Sequence, residues 1–293
     1  APHLATAAVL AHAGVGLLDG LLKTTNGTRI DFVGHTYTHS GSGSPIISGN
    51  GATRLTGGTI SLHDSIPGLQ LVGGSVQLLP DFQGGAGITN LVLDGTTLSG
   101  TNTVTGTLTL RNGSLGGVLL IQPGATFNIE GANGKVLSAI VTNRGTFNLS
   151  GTGDVSLTGS LDNEGLLNLA GDVRMYPTFN TTRPLRNTGI IRKTAGTGIA
   201  DLGVSSGYYI ALTNSGTIES LSGTIAHAGV SDLANGTLQV GIRSLSSYGR
   251  IHFPYTPALG GKLNAVLLNG YTPALNDKFT IVTFNSATGA FAD

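Results

Sequence analysis

The chain has no cysteine, no tryptophan and a single methionine, and only 10% of its residues are charged. Without cysteine there can be no disulfide, no thiolate metal site and no cysteine nucleophile. A small disulfide-stapled module is likewise argued against. Fifteen basic and fifteen acidic residues cancel, so no basic field is present to attract nucleic acid or anionic lipid. The low charge is not that of a disordered chain, because 39% of the residues are hydrophobic.

A long apolar run is also missing. Residues 1–18, "APHLATAAVLAHAGVGLL", carry no Asp, Glu, Lys or Arg, but they include two His, one Pro and two Gly. A membrane-spanning helix needs about 20 apolar residues, and no basic region precedes this stretch as it would in a signal peptide. The expectation is a short helix or strand covering the open end of a core, and no transmembrane segment.

What the chain has in abundance is glycine, with 47 residues, alongside Thr, Ser and Asn. Many short strands joined by tight turns produce this balance. A chain of 293 residues can bury a substantial core, as one large domain or two smaller ones.

The stretch "VTNRGTFNL" at 141–149 returns as "LDNEGLLNL", "LRNTGIIRK" and "LTNSGTIES". More widely, Gly followed by a small residue and then a branched or aromatic one recurs. Its glycines are 58, 74, 95, 113, 124, 145, 165, 189, 216 and 236. Apart from one interval of 11, the spacings cluster near twenty. The flanking segments ("TISL", "NLVL", "TLTL", "TFNI", "TFNL") alternate apolar and polar, as strands with one buried face do. No amphipathic helix lies between them. This pattern predicts an all-β fold, a parallel β-helix (β-solenoid) of about ten coils. Strict six-residue periodicity is absent, and long, uneven coils favour the right-handed kind.

Within that frame Asn143, Asn163, Asn187 and Asn214 take the same place in four consecutive coils. Asn satisfies backbone groups at a bend and can stack its amide from coil to coil. Gly145, Gly165, Gly189 and Gly216 would supply positive φ or close approach at the same corner.

The segments "LTGSLDNEGLLNLAGD" and "ALTNSGTIESLSGTI" resemble repeats of bacterial autotransporter passengers and related large surface adhesins, which are right-handed β-helices. The C-terminal "GGKLNAVLLNGYTPALNDKFTIVTF" is similar to segments near the end of such secreted, filamentous passengers. The resemblance covers roughly residues 50–290 and carries no catalytic motif of that family. It implies an extracellular or cell-surface protein.

The chain divides into three regions: 1–45 as an N-terminal entry or cap segment, 46–245 as the coils, and 246–293 as a strand-rich cap or assembly segment. Stacked strands leave open ends, and open ends invite pairing. The β-prone "FTIVTF", with Phe279, Ile281 and Phe284, is one candidate assembly end. The apolar residues Val9, Leu10, Leu17 and Leu18 are the other.

Candidate chemistry is sparse. The densest acidic run is Asp154, Asp162, Glu164 and Asp172. A β-helical lyase or hydrolase would gather two or three acids in an outer groove, with Tyr208, Tyr209 or Tyr248 as sugar platforms. The repeat register suggests ion pairs between coils instead: Arg144 with Glu164, Asp162 with Arg186, and Arg192 with Glu219. In "GHTYTHSG", His35, Tyr37 and His39 fall on one face of an extended strand, with Asp31 nearby. Two His four residues apart on a strand are about 13 Å from each other. That is too far to share one ion unless the strand turns, so solvent-facing side chains or a carbohydrate-contacting edge are expected. Seven hydroxyls follow the repeat glycines, but the column two residues on is mixed and charged, which argues against an ice-binding face. Glycosylation sequons at Asn26, Asn112, Asn148, Asn180 and Asn235 are matches such a composition yields by chance. No catalytic residue, metal ligand or cofactor is assigned. The expected function is an extracellular structural or adhesive β-solenoid that self-assembles end to end or binds a glycan or host-surface ligand. The alternative is a carbohydrate-active β-helix.

Overall fold

The computed structural model describes residues 8–10, 15–25, 27–41, 45–178, 181–205 and 207–292. The protein is an all-β parallel β-helix, with no α-helix among the described residues. Each coil crosses three faces. One complete coil consists of Ile140–Asn143 on the first face, Thr146–Leu149 on the second and Val155–Leu157 on the third. The next coil repeats them as Ser160–Asn163, Leu166–Leu169 and Arg174–Pro177. The strands of the coils pair in parallel with their counterparts one coil away, as Phe147 does with Leu167 and Val155 with Met175; Val204–Ser205 instead pairs antiparallel with the start of Tyr208–Asn214.

Alternation drives this arrangement. In a strand, successive side chains point to opposite sides. Phe147 and Leu149 therefore point inward while Thr146 and Asn148 point outward. The inward residues form one continuous core from Leu18 to Phe253, with Phe127, Phe147, Leu167, Ile191, Leu212 and Ile251 all at most 2% exposed. Phe127 and Phe147 stack across the coil spacing with ring centroids 4.7 Å apart. Burying each such side chain contributes about 1.5–3 kcal/mol.

The parallel stacking is not confined to residues 46–245. Thr36–His39 pairs with Thr59–Leu62, and Thr237–Ile242 pairs with Lys262–Leu267. On the third face the series runs from Val15–Leu18 to Val282–Phe284. In the last coil the core thins: Val266, Leu267 and Phe284 are exposed, and Leu275 is 92% exposed. The side chains of Val9 and Leu10 lie outside the described residues. Leu17 is exposed and Leu18 is buried. Ile281 is half-buried against the core, and the Phe279 ring lies between those of Tyr248 and Tyr271.

The odd interval of 11 between Gly113 and Gly124 has a physical cause. Ser114, after Gly113, pairs with Val136 on the third face. Thr126, after Gly124, pairs with Thr107 on the second. The glycine series therefore changes corner within a coil. The seven hydroxyls that follow these glycines lie on two faces and form no single array.

The coil path is interrupted at several places, among them the antiparallel pairing of Val204 with Tyr209 and the segment after Leu78. Between Ser75–Leu78 and the long strand Ile88–Leu98 the chain leaves it as a loop containing one 3-10 turn, Phe82–Gly85.

Candidate functional site

The corner between the first and second faces carries the Asn column. Asn143 pairs in register with Asn163, then Asn187, then Asn214. Asn143 Nδ2 donates to Asn163 Oδ1 at 2.7 Å. Asn163 donates to Asn187 at 2.6 Å and Asn187 to Asn214 at 2.6 Å. The same Nδ2 atoms also reach the carbonyls of Leu166, Ile190 and Thr217. All four side chains are buried. The column is flanked by Ile121, which pairs with Asn143. Asn143 Oδ1 consequently has no partner. A second, half-buried ladder runs along the outside of the second face, from Asn168 to Asn148 to Asn128.

The repeat glycines serve close approach. A Cβ on Gly165 would lie 2.3 Å from the Gly145 carbonyl oxygen, and one on Gly189 would lie 2.1 Å from that of Gly165. Gly216 meets Gly189 in the same way. None of the four has a positive φ, so the demand is for space and not for left-handed backbone.

The charges mostly join coil to coil. Arg144 Nε donates to Glu164 at 2.9 Å, with both groups substantially exposed. Arg192 donates to Glu219, which is buried and also accepts from Gln239. Asp162 lies in register with Arg186, but no ion pair joins them among the described residues. Asp154 accepts from Arg174 at 3.0 Å. Asp172 accepts from the buried Lys193 at 2.7 Å, and this bond holds the Asp172 carboxyl below its usual range. Lys193 Nζ also donates to the carbonyls of Gly171 and Ala195. The acidic run seen in the sequence is thus distributed around the coil and does not converge.

The "GHTYTH" residues take positions other than those expected. Tyr37 and His39 point into the interior, at 4% and 3% exposure, because Thr36–His39 packs its apolar side on the core. His35 occupies the preceding turn with φ 67°. Asp31 lies on another strand, where Arg54 grips it with two bonds of 2.8 and 2.9 Å and Arg29 approaches at 2.9 Å. The Arg54 guanidinium holds the Asp31 carboxyl below its usual range. These residues do not form a metal site, and among the described residues no group of three His, Asp or Glu side chains converges to hold an ion. Among the sequons, Asn26 and Asn180 lie outside the described residues, and Asn148 is engaged in the outer ladder.

Two cavities adjoin the 79–87 loop, which no sequence motif announces. A cavity of about 480 Å³ lies between this loop, including Pro80 and Phe82, and the strand residues Thr101–Thr103. One of about 370 Å³ is lined by Ser40, Gly41, His63, Asp64, Asp81 and Gly84. Phe82 anchors the loop at 3% exposure. Gln83, at φ 50°, ties it down: Oε1 accepts from the Thr89 N–H at 2.7 Å, and Nε2 donates to Ser65 Oγ at 2.7 Å. His63 Nδ1 bonds Asp81 at 2.6 Å. Behind them His39 Nδ1 accepts from the Asp64 N–H at 3.2 Å.

No match was found to any protein-family profile, curated protein or solved structure. The functional signals are therefore those of the chain itself. Among the described residues, no helix is long and apolar enough to cross a membrane.

Proposed function

We propose that the chain is an extracellular structural or adhesive β-solenoid, working through shape and repetition, of the kind its autotransporter-like repeats suggest. The observation that carries this reading is the use of its charges. Arg144–Glu164, Arg192–Glu219, Arg174–Asp154 and Lys193–Asp172 each join consecutive coils, so the acids serve the stack. End-to-end self-association extends the same reading. The first described rung crosses the second, third and first faces as Ala8–Leu10, Val15–Leu18 and Leu21–Thr24. The last crosses them in the same order as Lys262–Leu267, Val282–Phe284 and Thr288–Gly289. One rung would continue the other in parallel if copies met.

Negative-stain micrographs and sedimentation of the purified chain, together with incubation on a panel of polysaccharides, test the proposal. Rods or filaments without turnover are expected. A defined hydrolysis or elimination product overturns the structural reading, and a strict monomer at high concentration overturns self-association.

A lyase or hydrolase is the second reading, favoured by one cluster on the third face. Asp154 and Asp201 approach the same Arg174 at 3.0 and 3.5 Å, and its guanidinium lies 4.5 Å over the Tyr176 ring. Burial pushes the Asp201 carboxyl up, as a general acid requires. If a product is found, Asp201→Asn must abolish it.

A further inference from the structure

We propose that the cavity of His63, Asp64 and Asp81 beside the 79–87 loop is a binding site for an uncharged saccharide. The proposal rests on the adhesive reading and names the contact that would serve it. It begins from the lining, which is Ser40, Gly41, His63, Asp64, Asp81 and Gly84. Among the described residues that line it, no apolar side chain is present for a lipid or an aliphatic ligand to cover. No Lys or Arg is present either, so a phosphate, sulfate or uronate would meet two carboxylates and no fixed cation. A metal ion would lack a third converging ligand. What remains is a set of hydroxyl-binding groups. Carboxylate oxygens accept sugar O–H groups, and an imidazole nitrogen and a serine hydroxyl complete the pattern.

The bonding within the site fixes which atoms are available. His63 Nδ1 bonds the Asp81 carboxylate at 2.6 Å, which leaves Nε2 to face a ligand hydroxyl. Asp64 spends Oδ1 on the Ser65 N–H at 2.7 Å, leaving Oδ2. Buried His39 holds the Asp64 backbone from behind, and Gln83 braces the loop that carries Asp81 and Gly84. The site is therefore formed before any ligand arrives, which lowers the ordering cost of binding. Its volume of about 370 Å³ falls at the small end of ligand pockets, a size suited to one or two sugar rings.

Calorimetric titration and saturation-transfer NMR of the full chain with neutral hexoses, neutral disaccharides and their uronic-acid counterparts test this. The intact protein is expected to bind at least one neutral saccharide and to prefer it to its uronate. His63→Ala and Asp81→Asn are expected to weaken that binding at least about tenfold. Glu164→Gln, at a distant corner, should leave it unchanged. Unaltered urea midpoints would show that the two variants are folded. Binding that persists in both variants overturns the site while leaving an adhesive solenoid in place. Preference for uronates overturns the assignment of ligand class. Failure of the intact chain to bind any soluble saccharide overturns the site, and failure also to attach to immobilised glycans or cell surfaces overturns the adhesive reading with it.

Discussion

Asn163 donates its side-chain amide to Asn187 at 2.6 Å and receives that of Asn143 at 2.7 Å, with no more than 1% of its own surface exposed. One residue thereby joins three coils. Removing it strands two partners in a place water does not reach.

Asn163→Leu should therefore destabilise the fold by about 1–3 kcal/mol, the cost of buried polar groups left unpaired. Asn143→Leu should cost less, because Asn143 Oδ1 is already without a partner and only one neighbouring amide is deprived. Urea denaturation of the two variants ranks them. Equal or negligible losses would contradict the buried ladder.

Gly189→Ala places a methyl group 2.1 Å from the Gly165 carbonyl oxygen. Backbone cannot yield as a side-chain tip does, so the coils must part. A loss of about 3 kcal/mol or more is expected, at or beyond the upper end of overpacking effects. Gly34→Ala meets nothing within 4 Å and should change stability by less than about 1 kcal/mol. Thermal melts of the pair compare them directly.

The exposed Arg144–Glu164 pair should contribute little: Glu164→Ala is expected to cost under about 1 kcal/mol. Glu219 is buried between Arg192 and Gln239, and its loss leaves Arg192 without its partner. Because Arg192 is itself 33% exposed, Glu219→Ala should cost about 1–3 kcal/mol, more than Glu164→Ala. A double-mutant cycle with Arg192 would separate the coupling from the truncation.

His227 gives the fold a pH dependence. It is buried, with Nε2 donating to the Ile210 carbonyl at 2.9 Å and Nδ1 accepting from Ser231 at 2.7 Å. Desolvation lowers its pKa from 6.5 to about 4. The unfolded chain thus takes up a proton that the folded chain refuses, and stability falls as pH drops from 6.5 towards 4. The full effect is about 3 kcal/mol. Asp31 and Asp172, whose pKa values lie below 3.8, contribute stability that is lost only at more acid pH. Urea midpoints between pH 7 and 4 should slope downward in the native protein and flatten in His227→Gln.

The parts legible in the sequence are those written in local repetition. Alternation around Phe147 and Leu167 announces strands, and the Asn-x-Gly spacing aligns Asn143 with Asn163, as the register has it. Corner identity is not legible, because Gly113 and Gly124 open the same short motif at two different corners. Tyr37 and His39 turn inward against expectation, because the alternation of "HTYTH" has no apolar anchor to set its phase. The polar cavity cannot be read at all. His39 ends one strand and His63 follows the end of the neighbouring one, with rings 6.3 Å apart, and Asp81 arrives from a loop whose "PDFQGGAG" looks like any turn. What brings them together is coil length, which no short window of sequence contains.

The buried amide column also has a sense of direction. All its side-chain bonds run from Nδ2 to the Oδ1 of a higher-numbered residue. Turning over one amide would set nitrogen against nitrogen on one side and oxygen against oxygen on the other. The four can reverse only in concert, and reversal would forfeit the carbonyls of Leu166, Ile190 and Thr217. The dipoles are thereby locked parallel to the axis, giving the rod a distinguishable head and tail deep inside its wall. A transplanted coil bearing Asn at this corner would pass the alignment along, whereas one bearing Asp, with no N–H to hand on, would interrupt it.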